Sequence, residues 1–304
     1  MSAERPSLQR SILAALAYFD VFDFPLTLVE ISRFLPRTSP EDDAAPALAD
    51  IRRALLDCPV GERDGYYFLS GRDATVDRRR EKYLLAAGKY RKARRLTAFL
   101  RLLPSVRLVA VCNSLAISNA ERDSDIDFFV VTKPGTVWFT RLLTTGVVSL
   151  LGLRPDERTQ RDRYCLSFFV TENSLNLSGL ALPTGDTYLL YWLATLRPLY
   201  DAGGVMEKLA MANAWVGKSL PAHAISEKDR PAAVELDKKP LGILEGFAKR
   251  LQGRLFPKAI ADLANRDSRV VVSDDMLKFH VNDRRAEIEN AFRGRLRTLG
   301  IAYE

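Results

Sequence analysis

Apolar positions at the start of the chain recur at helical spacing. Leu8, Ile12, Ala15, Leu16 and Phe19 share one face, which predicts an amphipathic helix over 7–19. Pro25 interrupts the pattern. Thr27 with Glu30 three positions on has the spacing of a capping box, so a second helix is predicted from there to about residue 35. After a polar loop, 47–58 reads as a third helix. The segment GERDGYYFLS (61–70) places Asp64-Gly65 between two β-prone runs, the dipeptide a tight turn requires, and predicts a hairpin. Three short helices followed by a hairpin is the order of a winged helix-turn-helix domain, here over 1–76.

Residues 77–103 read as one long helix with Tyr83, Ala87, Tyr90, Ala93, Thr97 and Leu100 as its apolar stripe. Arg78, Arg79, Arg80, Lys82, Lys89, Arg91, Lys92, Arg94 and Arg95 crowd its remaining surface, either as a rail facing phosphates or as an ordinary solvated face. The period then changes to that of strands. Apolar runs at 106–111 and 128–131 are followed by YCLSFFVT (164–171), a run suited to a buried central strand. Between them 136–151 reads as a helix. The longest charge-free apolar run, 142–153, has 12 residues, too few to span a bilayer, and a buried helix is the better reading. Helical patterns return over 188–199, 205–217, 241–265 and 283–299, and the polar stretch 222–240, with two prolines, reads as a flexible linker or lid. The expected class is α/β (α+β): a small mixed-sheet domain over 77–180, preceded by the winged helix and followed by a C-terminal helical region over 181–304.

Composition narrows this only a little. The chain has 304 residues, 47% hydrophobic and 27% charged, as a soluble folded protein of two or three domains would. Its 45 basic and 38 acidic side chains leave a net charge of +7, compatible with a polyanionic ligand and with many proteins that bind none. Cys58, Cys112 and Cys165 are far apart and form no CxxC pair, so they read as reduced core thiols of a cytoplasmic protein rather than as a disulfide or zinc site. The N-terminus lacks the basic-then-apolar layout of a signal peptide.

Candidate chemistry is concentrated in VRLVAVCNSLAISNAERDSDIDFFVVT (106–132). An apolar strand leads into a turn holding Ser114, then a polar excursion, then Asp125-Ile126-Asp127 at the start of a second strand. Alternation puts Asp125 and Asp127 on one face and Ile126 on the other. Two carboxylates so placed repel unless a cation lies between them, and Mg2+ (or Mn2+), bound through carboxylate and phosphate oxygens, meets that need. An isolated D-x-D at a strand edge usually means only solvated carboxylates.

Asn113-Ser114, ten intervening residues and Asp125-Ile126-Asp127-Phe128 resemble the signature of the DNA polymerase beta-like nucleotidyltransferase superfamily: a Gly-Ser turn, a gap of about ten residues, and Asp-apolar-Asp at a strand start. The resemblance is specific over 107–132 and looser elsewhere, where the chain is similar to bacterial proteins with a winged helix ahead of such a domain. It implies that Ser114 and the amides of its turn grip the terminal phosphates of a nucleoside triphosphate (NTP). Asp125 and Asp127 would hold two magnesium ions, one lowering the acceptor hydroxyl's pKa and one steadying the triphosphate and leaving pyrophosphate. Asn119 and Ser124 would hold the loop or touch the sugar. The chain departs from the pattern twice. The turn glycine is Asn113, which tolerates left-handed angles but whose side chain can narrow the phosphate's approach. Most members also carry a third acid on a neighbouring strand. Here that strand has Ser167 at its centre, and Glu172, just past it, is the nearest carboxylate. Either Glu172 reaches in as a metal ligand, or two acids suffice, or binding persists without catalysis.

Near the C-terminus, Lys278-Phe279-His280 and Asp283-Arg284-Arg285 are dense in functional residue types. Lys278, His280 or Arg284 could meet phosphate, or the group could be a capping and ion-pair cluster at a helix start. His223 is expected to be idle. Arg52 and Arg53 on the third helix, with Arg63 and Arg72 beside the hairpin, suit DNA, whereas Asp50 and Asp57 suit packing or protein contact. The function expected is magnesium-dependent transfer of a nucleoside monophosphate from an NTP to an acceptor hydroxyl on a small molecule, a protein or a nucleic acid, with no membrane partner. Two alternatives stand beside it: a non-catalytic, nucleotide-sensing DNA-binding regulator, and a toxin–antitoxin component modifying a protein or tRNA.

Overall fold

In the computed structural model, residues 7–37, 45–155, 159–223 and 242–302 are described. All but the first two residues of the expected linker, 222–240, therefore lie outside the described residues. The N-terminal elements follow the order read from the sequence: α1 (Ser7–Asp20), a short β1 (Leu26–Thr27), α2 (Leu28–Phe34), α3 (Leu48–Leu55) and the hairpin β2 (Val60–Arg63) and β3 (Tyr66–Leu69). Thr27 caps α2 reciprocally with Glu30. Its hydroxyl accepts the Glu30 N–H at 3.3 Å, and its own N–H donates to the Glu30 carboxylate at 2.9 Å. Asp64 and Gly65 both adopt positive φ, +56° and +79°, as a hairpin turn of that type demands. The three strands form an antiparallel sheet in the order β1-β3-β2.

Next comes α4 (Thr75–Leu100), whose buried positions include Ala86, Lys89, Ala93, Thr97 and Leu100. Tyr83 and Ala87, expected in its apolar stripe, are exposed. Most of its basic side chains are engaged within the protein. Arg78 pairs with Asp23 at 2.9 Å, Arg80 with Asp64 at 2.9 Å and Lys82 with Glu121 at 2.9 Å. Arg79 pairs with Glu30 at 2.6 Å and lies over the Phe24 ring at 4.0 Å. Lys89 and Lys92 converge on Asp162 at 3.2 and 2.6 Å. The helix thereby ties the N-terminal elements to the loops around the D-x-D segment.

The rest of the chain builds one sheet. Its elements are β4 (Val106–Val111), α5 (Asn113–Ala116), β5 (Ile126–Thr132), α6 (Val137–Leu150), β6 (Tyr164–Thr171), α7 (Thr187–Thr195), β7 (Arg197–Asp201), α8 (Val205–Ala212), α9 (Trp215–Ser219), α10 (Gly242–Leu255), α11 (Lys258–Leu263), β8 (Val270–Val272), β9 (Met276–Phe279) and α12 (Arg285–Thr298). The strand order is β7-β4-β5-β6-β9-β8. β5 and β6 run parallel, and the other neighbours are antiparallel. The class is thus mixed α/β, but the C-terminal region is not simply helical: it supplies β7, β8 and β9. The helix read over 188–199 stops at Thr195 because Arg197 precedes Pro198 and is steered out of the helical region, and Pro198 then sits on an edge strand, where its missing N–H is harmless. The helix read over 241–265 is divided at Pro257 into α10 and α11 for the same reason. The apolar run 142–153 is buried only in part, since Leu150 and Leu151 are exposed.

Alternation along the central strands feeds two cores. Leu108, Ala110, Phe129 and Val131 pack on one face of the sheet with α1, α7 and α12. Val109, Val111, Phe128 and Val130 pack on the other with α4 and α6. The first core runs without a break into the N-terminal elements, so α1 is buried from Ser11 to Asp20 rather than on one face alone. Tyr18 stacks on Tyr191 at 4.2 Å between centroids, and the Tyr191 hydroxyl donates to the Phe34 carbonyl at 2.9 Å. No helix among the described residues is long and apolar enough to cross a membrane.

One buried ion network fastens α12 beside this core. Arg285 reaches Asp186 at 2.6 Å and Asp283 at 2.7 Å, with both acid side chains under a tenth exposed, and donates to the Leu180 carbonyl at 2.8 Å. Arg285→Met leaves those carboxylates without a counter-charge and is expected to lower stability by about 3–5 kcal/mol. Urea denaturation measures this; a midpoint matching wild type would show that the network contributes nothing net.

Candidate functional site

The start of β5, the turn after β4, the first half of β6 and the residues following β9 meet around a cavity of about 610 Å³. Asn113, Ser114, Asn119, Asp125, Asp127, Lys278, His280 and Arg284, all singled out in the sequence, line it. Ser124 and Glu172 do not.

Asp125 precedes β5 and Asp127 is its second residue. Ligand atoms of Asp125, Asp127 and Cys165 all lie within 4.8 Å of one another. The acids elsewhere in the interior show what is unusual here. Asp186 and Asp283 have Arg285, Asp162 has Lys89 and Lys92, and Glu289 has Arg293. Among the described residues neither Asp125 nor Asp127 forms an ion pair. Burial first, then the neighbouring Asp127 charge, pushes the Asp125 carboxyl up to about 6. Burial likewise raises Asp127, opposed by hydrogen bonds from Asn113 and Cys165.

Asn113 has φ +55°, the left-handed conformation its position in the turn calls for. Its side chain is not idle. The amide nitrogen donates to Asp127 Oδ2 at 2.8 Å, while its oxygen accepts from Tyr188 Oη and Trp192 Nε1, each at 3.0 Å. Asp127 is thus oriented by an amide that two aromatic side chains of α7 hold in place. Ser114 follows immediately, and its carbonyl accepts the Asn119 N–H at 2.8 Å. Asn119 and Ser124 act on the loop: Asn119 donates to the Phe22 carbonyl at 3.0 Å, and Ser124 donates to the Glu121 carbonyl at 3.0 Å and accepts from Lys89 at 2.6 Å.

Glu172 is not the third ligand. It lies past the far end of β6, about 23 Å along the strand from Cys165 at 3.3 Å per residue. Its side chain is 2% exposed there, between Arg107 at 3.4 Å and Lys208 at 3.5 Å. The residue opposite Asp127 in the parallel register is Cys165. The register then shifts so that Phe129 meets Phe168, one extra residue on β6, a bulge of the kind that re-aims side chains beside a site. A search of that strand for an acid passes over Cys165, which is half-buried on the cavity wall rather than in the core. Its thiol is pushed well above the usual range by burial and then by the two carboxylates. None of the three cysteines is in a disulfide among the described residues.

Lys278 and His280 border the cavity with their side chains already engaged by the protein. The Lys278 ammonium is turned to the carbonyls of Ser268 and Arg269, at 2.6 and 3.4 Å, and burial draws its pKa down to about 8. His280 Nε2 lies 3.2 Å from Ser167 Oγ, and burial reinforced by Lys278 lowers it to about 3, so the imidazole is neutral near pH 7. Arg284 is exposed and paired with Glu287 at 3.1 Å. Within the C-terminal cluster Asp283 pairs with Arg285 at 2.7 Å and accepts its backbone N–H at 3.0 Å. Of the arginines near the third helix, Arg63 pairs with Asp77 at 2.8 Å, Arg72 with Asp20 at 2.7 Å and Arg53 with Asp50 at 3.4 Å. His223 stacks beside Phe34, at 6.2 Å between centroids.

Comparison of the chain with family models, curated proteins and solved structures returns no match.

The Asp125 shift has a consequence for stability. An unfolded aspartate ionises near 3.8, whereas the folded Asp125 keeps its proton to about 6. The stabilisation from holding that proton is full below about pH 4 and is lost as pH rises through 6. Asp125→Asn, locked in the neutral form, is expected to be more stable than wild type at pH 8 by about 1–3 kcal/mol, with the gap closing at pH 4. Urea midpoints at the two pH values measure it, and no gain at pH 8 would mean that the carboxylate is already compensated in solution.

Proposed function

We propose that this protein transfers a nucleoside monophosphate from a nucleoside triphosphate to an acceptor hydroxyl with the help of a divalent cation. The observation that carries the reading is the acid pair itself: Asp125 and Asp127 are close together, partly buried and outside any ion pair among the described residues, on the wall of a cavity of about 610 Å³, a size that suits a nucleotide. The donor chemistry fits a divalent ion, since two carboxylates outside any ion pair among the described residues supply both the charge and the oxygen atoms such an ion seeks. Asp125 and Asp127 would hold it, and when bound it neutralises triphosphate charge and lowers the pKa of the acceptor hydroxyl.

The chain's own residues do the positioning. Asn113 fixes the rotamer of Asp127 and is itself fixed by Tyr188 and Trp192. The Ser114 hydroxyl and the backbone amides after the left-handed turn are the donors available to a terminal phosphate. Phe22, Ile117 and Phe168 offer an apolar wall for a base. The neutral His280–Ser167 pair provides a hydrogen-bonding group for a sugar or acceptor hydroxyl without adding charge. The first three helices and hairpin have winged-helix order. We read that unit as a packing element rather than a DNA reader, because Arg63, Arg72 and Arg79 are held in intramolecular ion pairs.

The test is incorporation of α-labelled nucleoside triphosphates, each of the four in turn, with pyrophosphate release as a second readout. Asp125→Ala/Asp127→Ala is expected to reduce the signal by about a hundredfold or more, the scale on which loss of a charge-stabilising group slows reactions. Equal signal from wild type and the double variant would remove the reading.

A further inference from the structure

We infer that Cys165 supplies the third ligand of the cation site, and that its two-carboxylate, one-thiolate donor set selects a borderline transition-metal ion of the Zn2+ or Co2+ class over Mg2+. The inference rests on the reading of the acid pair as a cation site, but not on nucleotide transfer.

The geometry brings three different side chains to one point. Cys165 stands opposite Asp127 in the β5–β6 register, so the two side chains leave the sheet on the same side, and alternation brings Asp125 to that side as well. Their ligand atoms lie within 4.8 Å of one another, and no other group of three or more His, Cys, Asp or Glu side chains among the described residues is so arranged. Metal–oxygen bonds of about 2.0 Å and a metal–sulfur bond of about 2.3 Å require ligand atoms about 3.5 Å apart, within reach of small side-chain rotations. The surroundings resemble an outer shell already in place. Asn113 holds Asp127 at 2.8 Å, and the Cys165 thiol lies 3.4 Å from the Ser167 hydroxyl, which His280 holds at 3.2 Å.

Donor chemistry decides which ion. Mg2+ takes an octahedral set of oxygens, two carboxylates completed by waters or phosphates, and gains nothing from a neighbouring sulfur. A thiolate is a soft ligand that favours Zn2+ and its neighbours. As the metal–sulfur bond forms, the S–H bond breaks and its proton passes to solvent, so binding releases one proton from this residue.

The experiment titrates the chelator-treated full chain with Co2+. A sulfur-to-cobalt charge-transfer band in the near ultraviolet is expected, displaced by Zn2+ and not by a hundredfold excess of Mg2+. Cys165→Ser should lose the band and weaken Co2+ binding at least tenfold, whereas Cys58→Ser should keep it. Cys165→Asp, an all-oxygen set, should shift preference toward Mg2+. In wild type, Zn2+ but not Mg2+ should slow alkylation of Cys165, read by mass spectrometry without recourse to any variant. Co2+ binding without the band, a band that persists in Cys165→Ser, or displacement by equimolar Mg2+ would overturn the inference while leaving the proposed transfer reaction standing. Failure to bind either Co2+ or Mg2+ would overturn the inference and the cation site with it. Label incorporation, measured separately, reports on transfer alone.

Discussion

Two carboxylates held side by side, partly out of water and outside any ion pair, cost a fold stability unless something else compensates them. Asp125 and Asp127 form such a pair, and much of the surrounding structure serves to keep it in place. β5 is central in the sheet, with β4 and β6 as its neighbours, so the strand cannot shift to relieve the repulsion. Asn113 binds one oxygen of Asp127 and is braced by Tyr188 and Trp192. Lys89, buried under the preceding loop, holds the carbonyls of Arg122 and Ser124 and so fixes the approach to Asp125 without touching its carboxylate.

The distribution of charge elsewhere sharpens this point. A net charge of +7 invites the thought of a polyanion on the surface. The basic residues of α4 are instead largely engaged by the protein's own acids: Arg79 by Glu30, Lys82 by Glu121, Lys89 and Lys92 by Asp162. Interior acids receive the same treatment, Asp186 and Asp283 from Arg285, Glu172 from Arg107 and Lys208. A fold that compensates these carboxylates yet leaves Asp125 and Asp127 outside any ion pair among the described residues, on the wall of a cavity of about 610 Å³, has a position suited to an external cation.

The aromatic packing links this site to the N-terminal elements. Trp192 touches Asn113 on one side and stacks with Phe168 on the other, and Tyr191, on the same helix, stacks with Tyr18 of α1. The helices before the sheet are therefore part of the frame that positions Asn113, rather than an appendage on a tether.

Local chemistry written in consecutive residues was readable from the sequence. The Thr27–Glu30 cap, the Asp64-Gly65 turn, the strands on either side of Ser114 and the shared face of Asp125 and Asp127 all follow from spacing within a few residues, because caps, turns and alternation are short-range effects. The left-handed Asn113 belongs with them. What depends on pairing between distant segments was not readable. Cys165 becomes the neighbour of Asp127 only through the parallel register of β5 with β6, and Glu172 is carried away by the same register. Lys278 and His280 keep their places at the cavity, but their surroundings turn one to backbone carbonyls and leave the other neutral. β7, β8 and β9 are strands because the sheet's edges offered them partners, which no periodicity in their own few residues announces. Which side chain faces a given carboxylate, and whether a charge is already paired, are properties of the assembled sheet, decided by non-local hydrogen bonding and burial.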